Sequence, residues 1–149
     1  MESSIQTHQT ILIVDDDEAV LSLVGGILVQ ADFRVLSASS PAAALNLSND
    51  SREEINLLLS DVDMPEMSGP DLGQELKKAR PNMHVMLMSG GSNGSLLVLN
   101  YGWAFIQKPF LPVKLVQMIR NVLGSPDRSQ PGGQGFDSRI DRENTGGKT

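Results

Sequence analysis

Short apolar runs and longer mixed segments alternate along most of the chain. Thr10–Val14, Arg34–Ser37, Ile55–Leu59, Met83–Met88 and Trp103–Ile106 are compact and nearly all apolar. Each predicts a strand covered on both faces, because a half-exposed strand would alternate apolar and polar positions. Between the first two runs, Val20, Val24, Ile27, Leu28 and Ala31 recur at the spacing of one helix face. Pro41, after the capping candidates Ser39 and Ser40, opens an alanine-rich second helix. Leu72, Leu76 and Ala79 predict a third helix, stopped by Pro81, and Pro112 to Leu123 a last one. Position alone requires a helix over 93–100, yet Gly94 and the unbroken Leu96–Leu99 run fit one poorly. The expected fold is α/β: a (βα)5 doubly wound, five-stranded parallel sheet with a shortened or irregular fourth helix.

Composition sets the limits of this domain. Beyond Leu123, Gly124–Thr149 holds six glycines and two prolines, with only Phe136 and Ile140 as sizeable apolar side chains. Such a stretch buries too little surface to offset its ordering entropy, so residues 124–149 are expected to be a disordered tail or linker. Residues 10–123 form the expected domain, 1–9 a short leader, and no output module is expected beyond them. The formal net charge is -6, from 12 Lys and Arg against 18 Asp and Glu. An acidic balance of that kind argues against direct nucleic-acid binding through a basic patch. With no cysteine there is no disulfide framework or thiolate site. The longest apolar runs are four residues, which excludes membrane insertion, and Met1–Gln9 lacks the features of a secretory signal. A cytoplasmic location follows as the expectation.

In a doubly wound sheet, ligands bind beyond the carboxyl ends of the strands. The first predicted strand runs into Asp15-Asp16-Asp17, the third into Asp61, the fourth into Ser89 and the fifth into Lys108-Pro109. Taken singly, each has an ordinary alternative: helix caps for Asp15, Asp16 and Ser89, an Asx-turn for Asp61, a solvated surface position for Lys108. Asp17 fits the role of helix cap. Taken together, they bring carboxylates, a hydroxyl and an ammonium to one edge. Clustered carboxylates repel unless a cation sits among them, and an all-oxygen set suits Mg²⁺, with Mn²⁺ satisfying the same ligands. A cation beside Asp61, with Lys108 and Ser89 opposite, makes a clamp for phosphoryl oxygens, and Asp61 is placed to act as the nucleophile.

These segments resemble the receiver domain of two-component response regulators, a flavodoxin-like fold, over essentially all of 10–123. The resemblance rests on Ile11-Leu12-Ile13-Val14-Asp15-Asp16-Asp17, on Leu58-Leu59-Ser60-Asp61-Val62-Asp63-Met64-Pro65-Glu66-Met67-Ser68-Gly69, on Met86-Leu87-Met88-Ser89-Gly90 and on Phe105-Ile106-Gln107-Lys108-Pro109-Phe110. It implies that Asp61 is the phosphoacceptor and that Asp15, Asp16, Asp61 and the backbone carbonyl of Asp63 hold Mg²⁺. It implies that Ser89 and Lys108 bind the phosphoryl oxygens, with the Lys108–Pro109 bond cis, and that Ser89 and Phe105 form the switch. Plain core packing is the alternative for Phe105. The implied donor is a sensor histidine kinase or a histidine phosphotransfer domain. The output is a changed surface toward an unknown downstream protein or a phosphorylation-dependent dimer. On this reading the chain is a phosphorelay signalling receiver, not a turnover enzyme, though it promotes its own phosphorylation and dephosphorylation.

Three features depart from the family pattern. Ser89 and Gly90 stand where threonine and alanine are usual. The 19-residue interval from Ser89 to Lys108 is a few residues short, which again puts the fourth helix in question. Asp63 and Gly91 occupy positions that tune acyl-phosphate lifetime in the family, and Gly91 offers no shielding side chain. A rival reading comes from Leu59-Ser60-Asp61-Val62-Asp63, which resembles the Asp-x-Asp start of haloacid-dehalogenase-like phosphatases; there the second aspartate is the general acid. Ser89–Gly94 has the look of a phosphate loop but lacks the following Lys-Ser/Thr. His8 and His84 have no ligand-like spacing.

Overall fold

The computed structural model describes residues 8–91 and 100–124. Its elements run β1 (Thr10–Val14), α1 (Glu18–Gln30), β2 (Arg34–Ala38), α2 (Pro41–Asp50), β3 (Leu57–Asp61), α3 (Gly69–Ala79), β4 (His84–Ser89), β5 (Ala104–Gln107) and α4 (Pro112–Leu123). All strands are parallel and join one five-stranded sheet in the order β2-β1-β3-β4-β5. The chain thus starts near the middle of the sheet and winds outward in both directions. Helices cover both faces.

Strand alternation decides which side chains enter which layer. Leu12, Val14, Leu58, Val85 and Leu87 point to one face, where Ala44 of α2 and Leu72 and Leu76 of α3 close over them. Ile11, Ile13, Leu57, Leu59, Met86, Met88 and Ile106 point to the other, under Val24 and Leu28 of α1 and Leu115 and Ile119 of α4. All five residues of β1 are buried, as its unbroken apolar pattern requires. The helix starts are fixed locally. Asp17 accepts the Ala19 and Val20 amides at 2.9 and 3.4 Å, Ser40 accepts that of Ala43, and Ser68 that of Asp71. Pro41, Pro70 and Pro112 occupy first-turn positions, where no amide donor is needed.

The third strand lies two residues later than the apolar run Ile55–Leu59 suggests. Asn56 explains the shift: its side-chain oxygen accepts the Thr10 amide at 2.7 Å, while its own amide donates to the Thr10 carbonyl at 2.9 Å. This local bracket holds the entry to β3, and Ile55, although buried, packs ahead of the strand. The strand therefore includes Ser60 and ends on Asp61 itself. β4 likewise runs one residue further, to Ser89. Of the irregular fourth helix expected over 93–100, residues 93–99 lie outside those described, while Asn100, with Tyr101, is helical. Residues 1–7 of the leader expected over 1–9, and 125–149 of the tail expected over 124–149, also lie outside them. Among the described residues, no helix is long and apolar enough to cross a membrane.

Arg80, at the C-terminal cap of α3, ties the far end of the molecule together. Its guanidinium donates to the Ser48 hydroxyl at 2.8 Å and to the carbonyls of Ser48, Ser51 and Glu53 at 2.9, 3.1 and 2.9 Å. The last carbonyls of α2 and the chain after it thereby gain a charged donor. Arg80→Ala is expected to destabilise the fold by about 2 kcal/mol. Arg80→Lys should recover less than half of that, since an ammonium cannot reproduce the planar fork. Urea unfolding midpoints of the three proteins measure the effect.

Candidate functional site

The sheet register brings four strand ends to one edge. Val14 pairs with Ser60, Asp61 with Met88, and Ser89 with Gln107, so the residues that follow emerge side by side. Asp15, directly after β1, is 1% exposed and its amide donates to the Ala38 carbonyl. One Asp15 oxygen accepts the Asp17 amide at 2.9 Å, which turns the chain into α1. The other accepts the Lys108 ammonium at 3.0 Å. Lys108 also donates to an Asp61 oxygen at 3.1 Å. Its backbone amide donates to the Ser89 carbonyl at 2.8 Å, and its peptide bond to Pro109 is cis.

Oxygen atoms of Asp15, Asp16 and Asp61 all lie within 4.8 Å of one another. Three carboxylates and one ammonium leave an excess of negative charge in a partly buried pocket. Burial, in the first place, raises the Asp61 carboxyl above its ordinary value of 3.8; Asp15 and Asp16 add to the rise, and Lys108 opposes it without cancelling it. Burial acts to lower the Lys108 ammonium, but its bonds to Asp15 and Asp61 outweigh that and hold it above its ordinary 10.5. The two shifts have different leading causes, burial for Asp61 and the bonds to two carboxylates for Lys108. Such a hard, all-oxygen set has the chemistry to hold a small divalent cation.

The other expected site residues lie around this group. Ser89, buried at the end of β4, accepts the Gly91 amide on its hydroxyl at 3.2 Å. Phe105 is half-buried on the α3-covered face of β5, opposite Leu87. Asp63 is exposed in the turn after β3 and stands outside the three-carboxylate group. Gly91 is exposed, and a side chain built there would meet nothing within 4 Å.

Two neighbours of Asp61 carry no such expectation in the sequence, yet they fix its backbone. The Ser60 hydroxyl, fully buried, donates to the Asp61 carbonyl at 2.9 Å. Gly69, the first residue of α3, donates its amide to the Val62 carbonyl at 2.8 Å. A Cβ at Gly69 would fall 2.2 Å from the Asp61 carbonyl oxygen, so only glycine lets the helix start this close. Ser68-Gly69 reads in the sequence as an ordinary turn, and this approach becomes visible only with the coordinates.

A family model described as "Response regulator receiver domain" matches residues 11–120. Among curated proteins, the chain is 32% identical over 123 residues to the sensor kinase CckA of Brucella abortus, covering 79% of this chain and 13% of that protein. It is 38% identical over 115 residues to the transcriptional regulatory protein CpxR of Klebsiella pneumoniae, covering 76% of this chain and 48% of that one. The chain thus spans less than half the length of these relatives. Among solved structures, a CheY-like receiver domain protein from Methanospirillum hungatei matches with a TM-score of 0.71 at 33% identity, covering 79% of this chain and 95% of that one. The receiver domain of the hybrid histidine kinase CckA matches with a TM-score of 0.66 at 30% identity, covering 76% and 98%. The matched span runs from β1 into α4 and encloses every strand end that builds the carboxylate pocket, and on this evidence the chain belongs to the response regulator receiver domain family of two-component signalling.

Proposed function

We propose that the chain accepts a phosphoryl group on Asp61 from a phosphohistidine donor, a sensor histidine kinase or a histidine phosphotransfer domain. The observation that carries this reading is the ammonium of Lys108 bridging Asp15 and Asp61 at the strand-end edge. An Asp61 oxygen attacks phosphorus in line, a P–O bond forms, and the P–N bond of the donor breaks with the electron pair returning to its imidazole. Lys108 and the Ser89 hydroxyl then hold the negative oxygens of the product, which are the groups whose charge must be matched throughout the transfer. Asp15, Asp16, Asp61 and the Asp63 backbone carbonyl would hold Mg²⁺, or Mn²⁺ in its place, and the ion would neutralise phosphoryl oxygens.

Drawing Ser89 toward the new group frees space into which Phe105 turns, biasing an equilibrium between two surfaces. The output is a changed affinity for a downstream protein or for a second copy of the chain. This is signalling in the cytoplasm, with no direct contact to nucleic acid. The names of the relatives, a sensor kinase and transcriptional regulatory proteins, support both ends of such a relay. The phosphatase reading finds no support in the geometry, since Asp63 is exposed and apart from the carboxylate group in which a general acid would act.

Wild-type protein with a small phosphodonor such as acetyl phosphate is expected to gain one phosphoryl group in the presence of Mg²⁺. Asp61→Asn should reduce labelling to background, as read by intact mass; labelling that persists at another residue would refute the assignment. The excess of carboxylates gives a second expectation. Because the Asp61 pKa is raised on folding, the native chain binds the proton more tightly than the unfolded one between 3.8 and the raised value. Stability falls as pH rises through that window. In chelator at low ionic strength, Asp61→Asn should therefore raise Tm at neutral pH, and the gain should shrink toward about pH 4. An unchanged or lowered Tm at neutral pH would contradict it. Finally, the open surroundings of Gly91 leave water free to approach the acyl phosphate. Gly91→Lys is expected to lengthen the acyl-phosphate half-life several-fold in a chase experiment, and an unchanged half-life would sink the idea.

A further inference from the structure

Trp103 precedes β5 and is 8% exposed, yet its indole Nε1 has no hydrogen-bond partner among the described residues. A buried donor left unpaired is costly, and native structures rarely keep one without a reason. The ring fills a slot that exists because residue 73 of α3 is glycine: a Cβ there would lie 3.0 Å from both Cη2 and Cζ3 of the indole and 3.3 Å from Val85. On its other side Trp103 stacks with Tyr101, ring centroids 4.8 Å apart and planes 19° from parallel. Among the described residues no polar group pairs with the N–H, and the contacts given for the ring are those of shape and stacking.

The direction of Trp103 is set by the pleat of the edge strand. Ala104 and Ile106 join the layer under α1 and α4, whereas Trp103 and Phe105 join the layer under α2 and α3. Trp103, just ahead of β5, and Phe105, within it, therefore lie on the same side of the sheet and pack in one hydrophobic layer with Leu72, Val85 and Leu87. Phe105 is half-buried, so turning it inward needs volume on that face. Trp103 is the large neighbour that can release volume, and it gains a partner for its N–H when it moves toward water.

We infer that Trp103 and Phe105 form a two-ring device, in which inward turning of Phe105 displaces the Trp103 indole from the Gly73 slot. The inference rests on the reading of Asp61 as phosphoacceptor and Phe105 as switch. It makes the segment Tyr101–Trp103 the part of the surface that changes on activation. Gly73 then sets the resting position of the equilibrium, because any side chain at that position disfavours the seated indole.

The test uses the full chain, whose one tryptophan is Trp103. Mg²⁺ and trifluoroberyllate, a tetrahedral phosphoryl mimic that bonds to a carboxylate oxygen, are added while tryptophan emission and the ¹⁹F NMR signal of bound mimic are recorded together. The expected result is a saturable red shift of emission that tracks the ¹⁹F signal, with both lost in Asp61→Asn. In Gly73→Ala, with a native far-UV circular dichroism spectrum, emission without ligand should already lie toward the red. Bound mimic with unchanged emission in the wild type overturns the two-ring device and leaves the Asp61 assignment standing. A folded Gly73→Ala protein with wild-type emission overturns it as well. Absence of a bound ¹⁹F signal in the wild type overturns the Asp61 reading, and the device with it.

Discussion

One ammonium shared among a surplus of carboxylates governs this molecule. Lys108 reaches both Asp15 and Asp61, and Asp16 stands within the same small group. Each carboxylate lowers the cost of desolvating the lysine, while the lysine only partly offsets the mutual repulsion of the acids. The pocket is thus left short of positive charge by construction. A protein that merely needed a stable sheet edge would place fewer acids there, and the surplus of carboxylate oxygen is what suits the pocket to a hard cation. Stability and chemistry pull in opposite directions at this edge, with the buried layers on both faces of the sheet supplying the difference.

The elements that create the edge were legible because they obey simple periodicities. β1 follows from four contiguous apolar residues, α1 from the spacing of Val20, Val24 and Leu28, and α2 from Pro41 behind a serine cap. Once the alternation of strands and helices was read, the parallel order followed from topology, and the positions after the strands identified Asp15, Asp61, Ser89 and Lys108 as neighbours. The same logic failed at β3 for a physical reason. Ile55 is apolar and buried, but burial can be met just outside a strand, and the bracket between Asn56 and Thr10 decides where the ladder begins. Periodicity reports burial, whereas register depends on individual hydrogen bonds.

What stayed hidden in the sequence is contact between segments distant along the chain. The Arg80 clamp spans two helix ends and depends on carbonyl directions that no local pattern encodes. Gly69 looks like any turn glycine until its distance from the Asp61 carbonyl shows that the start of α3 is packed onto the Asp61 peptide. Together with the Ser60 hydroxyl, that approach fixes the backbone from which the Asp61 carboxylate projects. Trp103 and Gly73 are a further case. Either residue alone reads as core or as helix irregularity, and only their complementarity shows a large ring fitted to a missing side chain.

The sheet itself indicates where a change at the pocket can travel. β1 and the first four residues of β3 are fully buried between two helical layers, and β1 and β3 each pair with strands on both sides. Among the described residues, β5 pairs with a single strand, has one buried position and, at four residues, is the shortest strand of the sheet. Its carboxyl end carries Lys108 into the charged pocket, and its opposite end carries Trp103 into an apolar slot with an unmatched N–H. The pocket's shortage of positive charge and the short edge strand meet at Lys108: the surplus of carboxylate oxygen suits a hard divalent cation, and the ammonium that answers it is carried by the shortest strand of the sheet.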